Sequence, residues 1–182
     1  MSHKYHEATI SSKPIFDGKV IKVKVDTVEL PNGKHATREL VLHPGAVGIL
    51  AISNENKIVL VNQFRKPLEK MNLEIPAGKL ELNEDPRECA IRELKEETGY
   101  SALNMTPFTK FYTSPGFANE IIYLFQAEDL EIGEANPDED EFVDLVTLTL
   151  EESLQLIDAG EIVDGKTIIA IYYWQIQSLK DK

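Results

Sequence analysis

One short stretch, Gly78 to Tyr100, restricts the folds open to this chain more than any other. Asp85-Pro86 opens a helix, because Asp can cap and proline suits the first helical position, and Gly99 stops it. The pattern predicts a helix over Pro86–Thr98 with Ala90, Ile91 and Leu94 as its apolar stripe. Arg92, Glu93, Glu96 and Glu97 crowd the edge beside that stripe. At about 100° per residue, Glu93, Glu96 and Glu97 fall within roughly a third of the circumference. Carboxylates about 4 Å apart repel by roughly 4 kcal/mol at an effective dielectric of 20. A merely solvated helix would pair Glu with Lys instead. The face makes sense if a hard divalent cation, which prefers oxygen ligands, relieves the repulsion. Such a helix needs a sheet under its apolar side and a cleft on its acidic side.

The flanking sequence supplies the strands. From Lys19 to Leu30, Ile21, Val23 and Val25 alternate with Lys22, Lys24 and Asp26, which predicts a half-buried strand with the aliphatic face inward. Pro31-Asn32-Gly33-Lys34 is a turn, and His35–Leu42 reads as the returning strand. Ala46–Ile52 and Ile58–Phe64 form a buried hairpin. Phe108–Thr113 and Ile121–Ala127 are strands around Ser114-Pro115-Gly116-Phe117-Ala118-Asn119-Glu120, a link long enough to bind a ligand. Residues 128–141 are dense in carboxylates and read as an exposed acidic loop before a strand at Phe142–Thr149. Thr149-Leu150-Glu151-Glu152 is a capping box for a helix ending at Gly160. Asp164 caps a last helix, about Gly165–Leu179, with Ile168, Ile171, Tyr172 and Ile176 available for burial.

The formal net charge of -12 excludes a nucleic-acid backbone as the main partner, yet leaves anionic small molecules open where metals and arginines reverse the local field. A single cysteine, Cys89, rules out an intrachain disulfide and reads as a small buried residue. No stretch has the length of a membrane span, and Met-Ser-His-Lys-Tyr-His-Glu lacks a signal-peptide core, so a cytoplasmic location is expected. The chain is one mixed α/β fold: an N-terminal β region over 1–43 and a main domain over 44–182.

The central stretch fits G-x5-E-x7-R-E-U-x-E-E-x-G-U, where U is bulky and apolar, through Gly78, Glu84, Arg92, Glu93, Leu94, Glu96, Glu97 and Gly99, with Tyr100 in the final apolar place. In this it resembles the Nudix hydrolases. The resemblance implies an α/β/α sandwich with a mixed sheet, a loop–helix–loop that binds magnesium (manganese as a substitute), and hydrolysis of a nucleoside diphosphate linked to another group. It makes Glu93 and Glu97 the principal metal ligands, Glu96 a further ligand or catalytic neighbour, and the Ala77 carbonyl an added oxygen donor. It has Arg92 orient the glutamates, with Glu84 as its salt-bridge partner.

Outside the motif, Gln63-Phe64-Arg65, Pro76-Ala77-Gly78, Ser114-Pro115-Gly116 and Glu120 are similar to the ADP-ribose pyrophosphatase subgroup. By that likeness Arg65 contacts the diphosphate and Glu120 the terminal ribose. Glu139 matches the general base and Glu141 a metal-associated neighbour, although Asp138 and Asp140 adjoin them and the base is fixed only to Asp138–Glu141. Phe16 and Arg38 are candidates to sandwich adenine, since aromatic and guanidinium planes stack on bases. The subgroup also implies a homodimer that exchanges its N-terminal β region. The expected reaction is Mg²⁺-dependent hydrolysis of ADP-ribose to AMP and ribose 5-phosphate. The alternatives are another nucleotide sugar such as GDP-mannose, or a non-catalytic ADP-ribose-sensing domain.

Overall fold

The computed structural model describes residues 4–133 and 142–180. These form two compact units: the described residues up to Gly45 together with Phe111–Ile121, and Ala46–Lys110 together with the described part of Ile122–Lys182.

The first unit is an antiparallel sheet of β1 (Ala8–Asp17), β2 (Lys22–Glu29) and β3 (His35–Leu42), in that order. The Phe111–Ile121 segment joins it where the Val41 N–H donates to the Phe117 carbonyl at 2.8 Å. Register fixes the faces, because residues directly opposite point the same way and successive residues alternate. Asp26 stands between Ser12 and Arg38, and Val23 between Phe16 and Val41. The buried face is not the expected Val23–Val25 side: Asp26 and Val28 are the buried residues of β2. Asp26 tolerates this because Ser12 Oγ and Lys24 Nζ, the latter at 2.9 Å, donate to its carboxylate.

The second unit holds the remaining strands, save the last two residues of β8 and the first of β9: β4 (Ala46–Ile52), β5 (Ile58–Arg65), β6 (Lys70–Glu74), β7 (Ala77–Lys79), β8 (Tyr100–Tyr112), β9 (Ile121–Ile132) and β10 (Val143–Leu148). Among the described residues the path runs β10-β5-β4-β9-β8, with β6 on β5 and β7 on β4. The sheet is mixed, since β4 and β9 pair in parallel from Ala46↔Ile122 to Ala51↔Ala127. β4 and β5 pair only at Ala51↔Val59 and Ile52↔Ile58, then diverge. β6 and β7 line the gap, and the Ile49 N–H donates to the Pro76 carbonyl at 2.8 Å between them.

Helix α1 (Pro86–Thr98) is capped as expected: Asp85 Oδ1 accepts from the Arg87 N–H at 2.9 Å, and Gly99 takes a left-handed φ of 74°. Ala90, Leu94 and Cys89 pack on Val47, Ile49 and Ala51 of β4 and on Phe125 and Ala127 of β9. Helices α2 (Leu150–Asp158) and α3 (Gly165–Lys180) pack together. α3 also packs on β4, and its buried residues lie outside the α1 cluster, so it covers the face of Gly48 and Leu50. The result is the expected α/β/α sandwich.

Several boundaries differ from expectation. β1 carries Ser11, Ser12 and Pro14 and is exposed along its whole length, so no alternation marked it. β8 begins at Tyr100, before the expected Phe108, and its place at the edge of the sheet among the described residues lets it carry Pro107. β9 continues to Ile132, so the first residues read as acidic loop are strand, with Leu130 buried. α3 buries Thr167, Ala170, Ile171 and Trp174, whereas Tyr172 and Ile176 are exposed.

Candidate active site

The motif closes around one guanidinium. Arg92 forks onto Glu84 through Nε at 3.0 Å and Nη2 at 3.1 Å, while Nη1 donates to Glu93 at 2.8 Å and Glu96 at 2.9 Å. That charge offsets the repulsion that the sequence builds into α1. Donation from Arg92 holds the Glu84 carboxyl down at about 2, against a small opposing cost of burial.

Glu93 and Glu97, one helical turn apart, are both buried. Glu97 is aimed by the backbone: the Ala77 N–H of β7 donates to its Oε2 at 3.0 Å. Glu93 is aimed by the absence of a side chain, because a Cβ on Gly78 would lie 1.8 Å from its carboxyl carbon. The first glycine of the motif is thus the floor on which a carboxylate rests. Cys89 is fully buried, and burial pushes its thiol up to about 12, which suits the packing role and not a nucleophile.

These donors suit a magnesium ion in chemistry: hard carboxylate oxygens on one helix face, opposite a strand backbone. Among the described residues no three Asp, Glu, His or Cys side chains converge as a ready-made cage. Magnesium keeps several waters and takes one or two carboxylates, so Glu93 and Glu97 are an adequate protein share. Glu139 and Glu141, with Asp138 and Asp140, lie outside the described residues.

Beside the motif, in the same unit, Arg65 ends β5. Its Nε and Nη2 bond Glu74 of β6 at 2.6 and 2.8 Å. Glu74 also accepts from Asn72 Nδ2 at 3.0 Å and from Lys166 Nζ of α3. Burial alone would push the Glu74 carboxyl up; the Arg65 hydrogen bonds and the Lys166 charge outweigh it and hold the group at about 2. Asn72 Oδ1 is the buried side-chain acceptor left without a partner among the described residues. The sequence alone marks neither Glu74 nor Lys166 as a site residue. The hints in the sequence are an acid just before Ile75-Pro76 and a lysine in the first turn of the last helix.

In the first unit, Phe16 is exposed and its ring folds over Gly18, where a Cβ would meet it at 2.4 Å. Arg38 is paired with Glu7, Nε to Oε2 at 2.8 Å. Register places Phe16 with Val23 and Arg38 with Asp26, three positions apart and on opposite faces of the sheet. One chain therefore does not bring both planes to a single base. Glu120 accepts from Thr113 Oγ1 at 2.6 Å, and His43 Nδ1 lies 3.6 Å from its other oxygen.

Residues 42–169 match the family model described as NUDIX domain, and residues 7–41 match the nucleoside diphosphate sugar hydrolase N-terminal domain. The chain is 57% identical to a methanol dehydrogenase activator of Bacillus methanolicus, covering 100% of both chains. It is 54% identical to an ADP-ribose pyrophosphatase of Bacillus subtilis (strain 168), covering 94% of each. A crystal structure of an ADP compounds hydrolase superposes with a TM-score of 0.84 at 22% identity, over 96% of this chain and 95% of that one. That last likeness speaks to the fold.

Proposed function

The chain belongs to the Nudix hydrolases, and on that premise we propose that it cleaves the pyrophosphate bond of ADP-ribose, giving AMP and ribose 5-phosphate. The observation that carries this reading is the pair of buried carboxylates one helical turn apart, Glu93 set on Gly78 and bonded by Arg92, and Glu97 set on the Ala77 N–H. The substrate follows from the relative that shares 54% of its residues over nearly the whole chain.

Glu93 and Glu97 would hold magnesium, or manganese in its place, with Glu96, Glu141 and the Ala77 carbonyl as further oxygen donors. When bound, the ion neutralises diphosphate charge and makes water a better nucleophile. Water adds its oxygen to one phosphorus, the bridging P–O bond breaks, and the proton goes to a carboxylate within Asp138–Glu141, for which Glu139 is our choice. Arg65 binds the diphosphate through a guanidinium fork suited to phosphate oxygens, and Glu120 binds the terminal ribose. Arg92 keeps the glutamates in register.

The N-terminal region, 1–43, supplies base contacts and dimerisation, and 44–182 the catalytic domain. The opposite-face positions of Phe16 and Arg38 support base contacts drawn from two copies of the chain in a homodimer. No described helix is long and apolar enough to cross a membrane, and we take the enzyme to act in the cytoplasm on a small nucleotide sugar.

The test is hydrolysis of ADP-ribose against a panel of nucleotide sugars including GDP-mannose, with and without Mg²⁺, and with product identification. Mg²⁺-dependent release of AMP, with kcat lowered about a thousandfold or more in E97Q, is expected. Full activity in E97Q, or preference for another nucleotide sugar, overturns the assignment. A second reading comes from the 57% relative: the chain raises the activity of an alcohol dehydrogenase. Adding the protein and its E97Q variant to a methanol dehydrogenase assay separates the two. Stimulation that survives E97Q would favour a role independent of hydrolysis.

A further inference from the structure

Two cations close on the buried Glu74 carboxylate, and one of them, Lys166, is shared with Asp164. Arg65 takes both oxygens, at 2.6 and 2.8 Å, and Lys166 bonds Oε2 as well. The two differ in setting: the Lys166 side chain is 10% exposed and the Arg65 side chain 39%. Lys166 is fixed from behind, its Nζ lying 3.1 Å from Asp164 Oδ2. The same helical turn holds the next residue of the strand, since Thr167 Oγ1 accepts from the Ile75 N–H at 2.9 Å and donates to Asp164 at 2.6 Å. Lys166 is therefore held between two carboxylates, while the more exposed Arg65 reaches back along its strand from the end beside the β5–β6 turn.

A buried carboxylate with one partner cannot release it, because the uncompensated charge would be left in a poorly solvated site. A carboxylate with a second, permanent partner can. We propose that Lys166 is a positioning residue: its fixed charge on Glu74 frees the Arg65 guanidinium to turn from that carboxylate to the diphosphate of the substrate. The proposal rests on the reading of Arg65 as a diphosphate ligand. Asn72, which also donates to Glu74 at 3.0 Å, keeps Oε1 satisfied when Arg65 departs.

The test uses the full chain with Mg²⁺ and ADP-ribose, comparing R65A, K166M, K166R and the R65A/K166M double variant, with thermal unfolding as a check on folding. R65A is expected to raise KM about tenfold with kcat changed less than about threefold. K166M, which traps Arg65 on Glu74, should raise KM about fivefold, K166R should restore it to within about twofold, and K166M should add nothing in the R65A background. An unchanged KM in K166M beside a raised KM in R65A overturns the proposal while sparing the reading of Arg65. So do K166M effects that multiply with those of R65A. An unchanged KM in R65A overturns that reading, and the proposal with it. If K166M does not fold, K166Q takes its place, and loss of fold in both makes Lys166 a structural residue.

Discussion

At Gly78 the α-carbon and a buried carboxylate occupy adjoining space, with no room for even a methyl group. G78A should force Glu93 off its position, since a clash of this size in a packed site costs on the order of 1–3 kcal/mol. Turnover is expected to fall by more than the lost stability explains, measured as kcat beside the urea midpoint. Glu74 makes a separate prediction. Its folded pKa of about 2 lies below its ordinary 4.5, so its contribution to stability is complete above about pH 4.5 and is lost as pH falls through 2. That contribution is on the order of 3 kcal/mol. E74Q should be less stable than the parent near neutral pH, and the difference should shrink below about pH 4.5 in urea unfolding. At this scale the sequence was legible where spacing is local. Arg92, Glu84, Glu93 and Glu96 meet as expected because one helix and its entry loop carry them all. The Glu74–Lys166 contact joins residues 92 positions apart and leaves no local pattern to read.

Among the elements, helices were read best, because their ends are marked by chemistry that acts over a few residues. Asp85, Pro86 and Gly99 bound α1 as expected, and Thr149 with Glu152 forms the reciprocal box that opens α2. T149A removes that cap and should cost about 1 kcal/mol in unfolding free energy with kcat unchanged. The strands that escaped notice have physical reasons for doing so. β7 is three residues long and contains the motif glycine; β6 precedes a proline; β1 has no buried face in this chain. The buried side of β2 is not legible in the sequence, because an aspartate satisfied by Ser12 and Lys24 is indistinguishable there from a solvated one.

For the whole molecule, the three-stranded sheet sets a geometric condition on any dimer that shares its base contacts. Phe16 and Arg38 face opposite ways within a chain, so a site using both draws them from different copies. F16A and R38A, each raising KM alone, should complement when unfolded together and refolded: a random mixture regains roughly a quarter of the parental sites. No recovery, with heterodimers demonstrated by mass, would exclude exchange. The fold class was legible at this scale because the apolar runs at Ala46–Ile52 and Ile58–Phe64 and the two-faced α1 point to one layered arrangement.

The bond from the Ala77 N–H to Glu97 has one more use. An amide proton held by a carboxylate takes its chemical shift from the charge on that oxygen, so the Ala77 resonance is a built-in spectroscopic reporter on Glu97. Titrating magnesium or nucleotide into isotopically labelled protein would let a single peak follow that carboxylate directly, with no chromophore added and no substrate turned over.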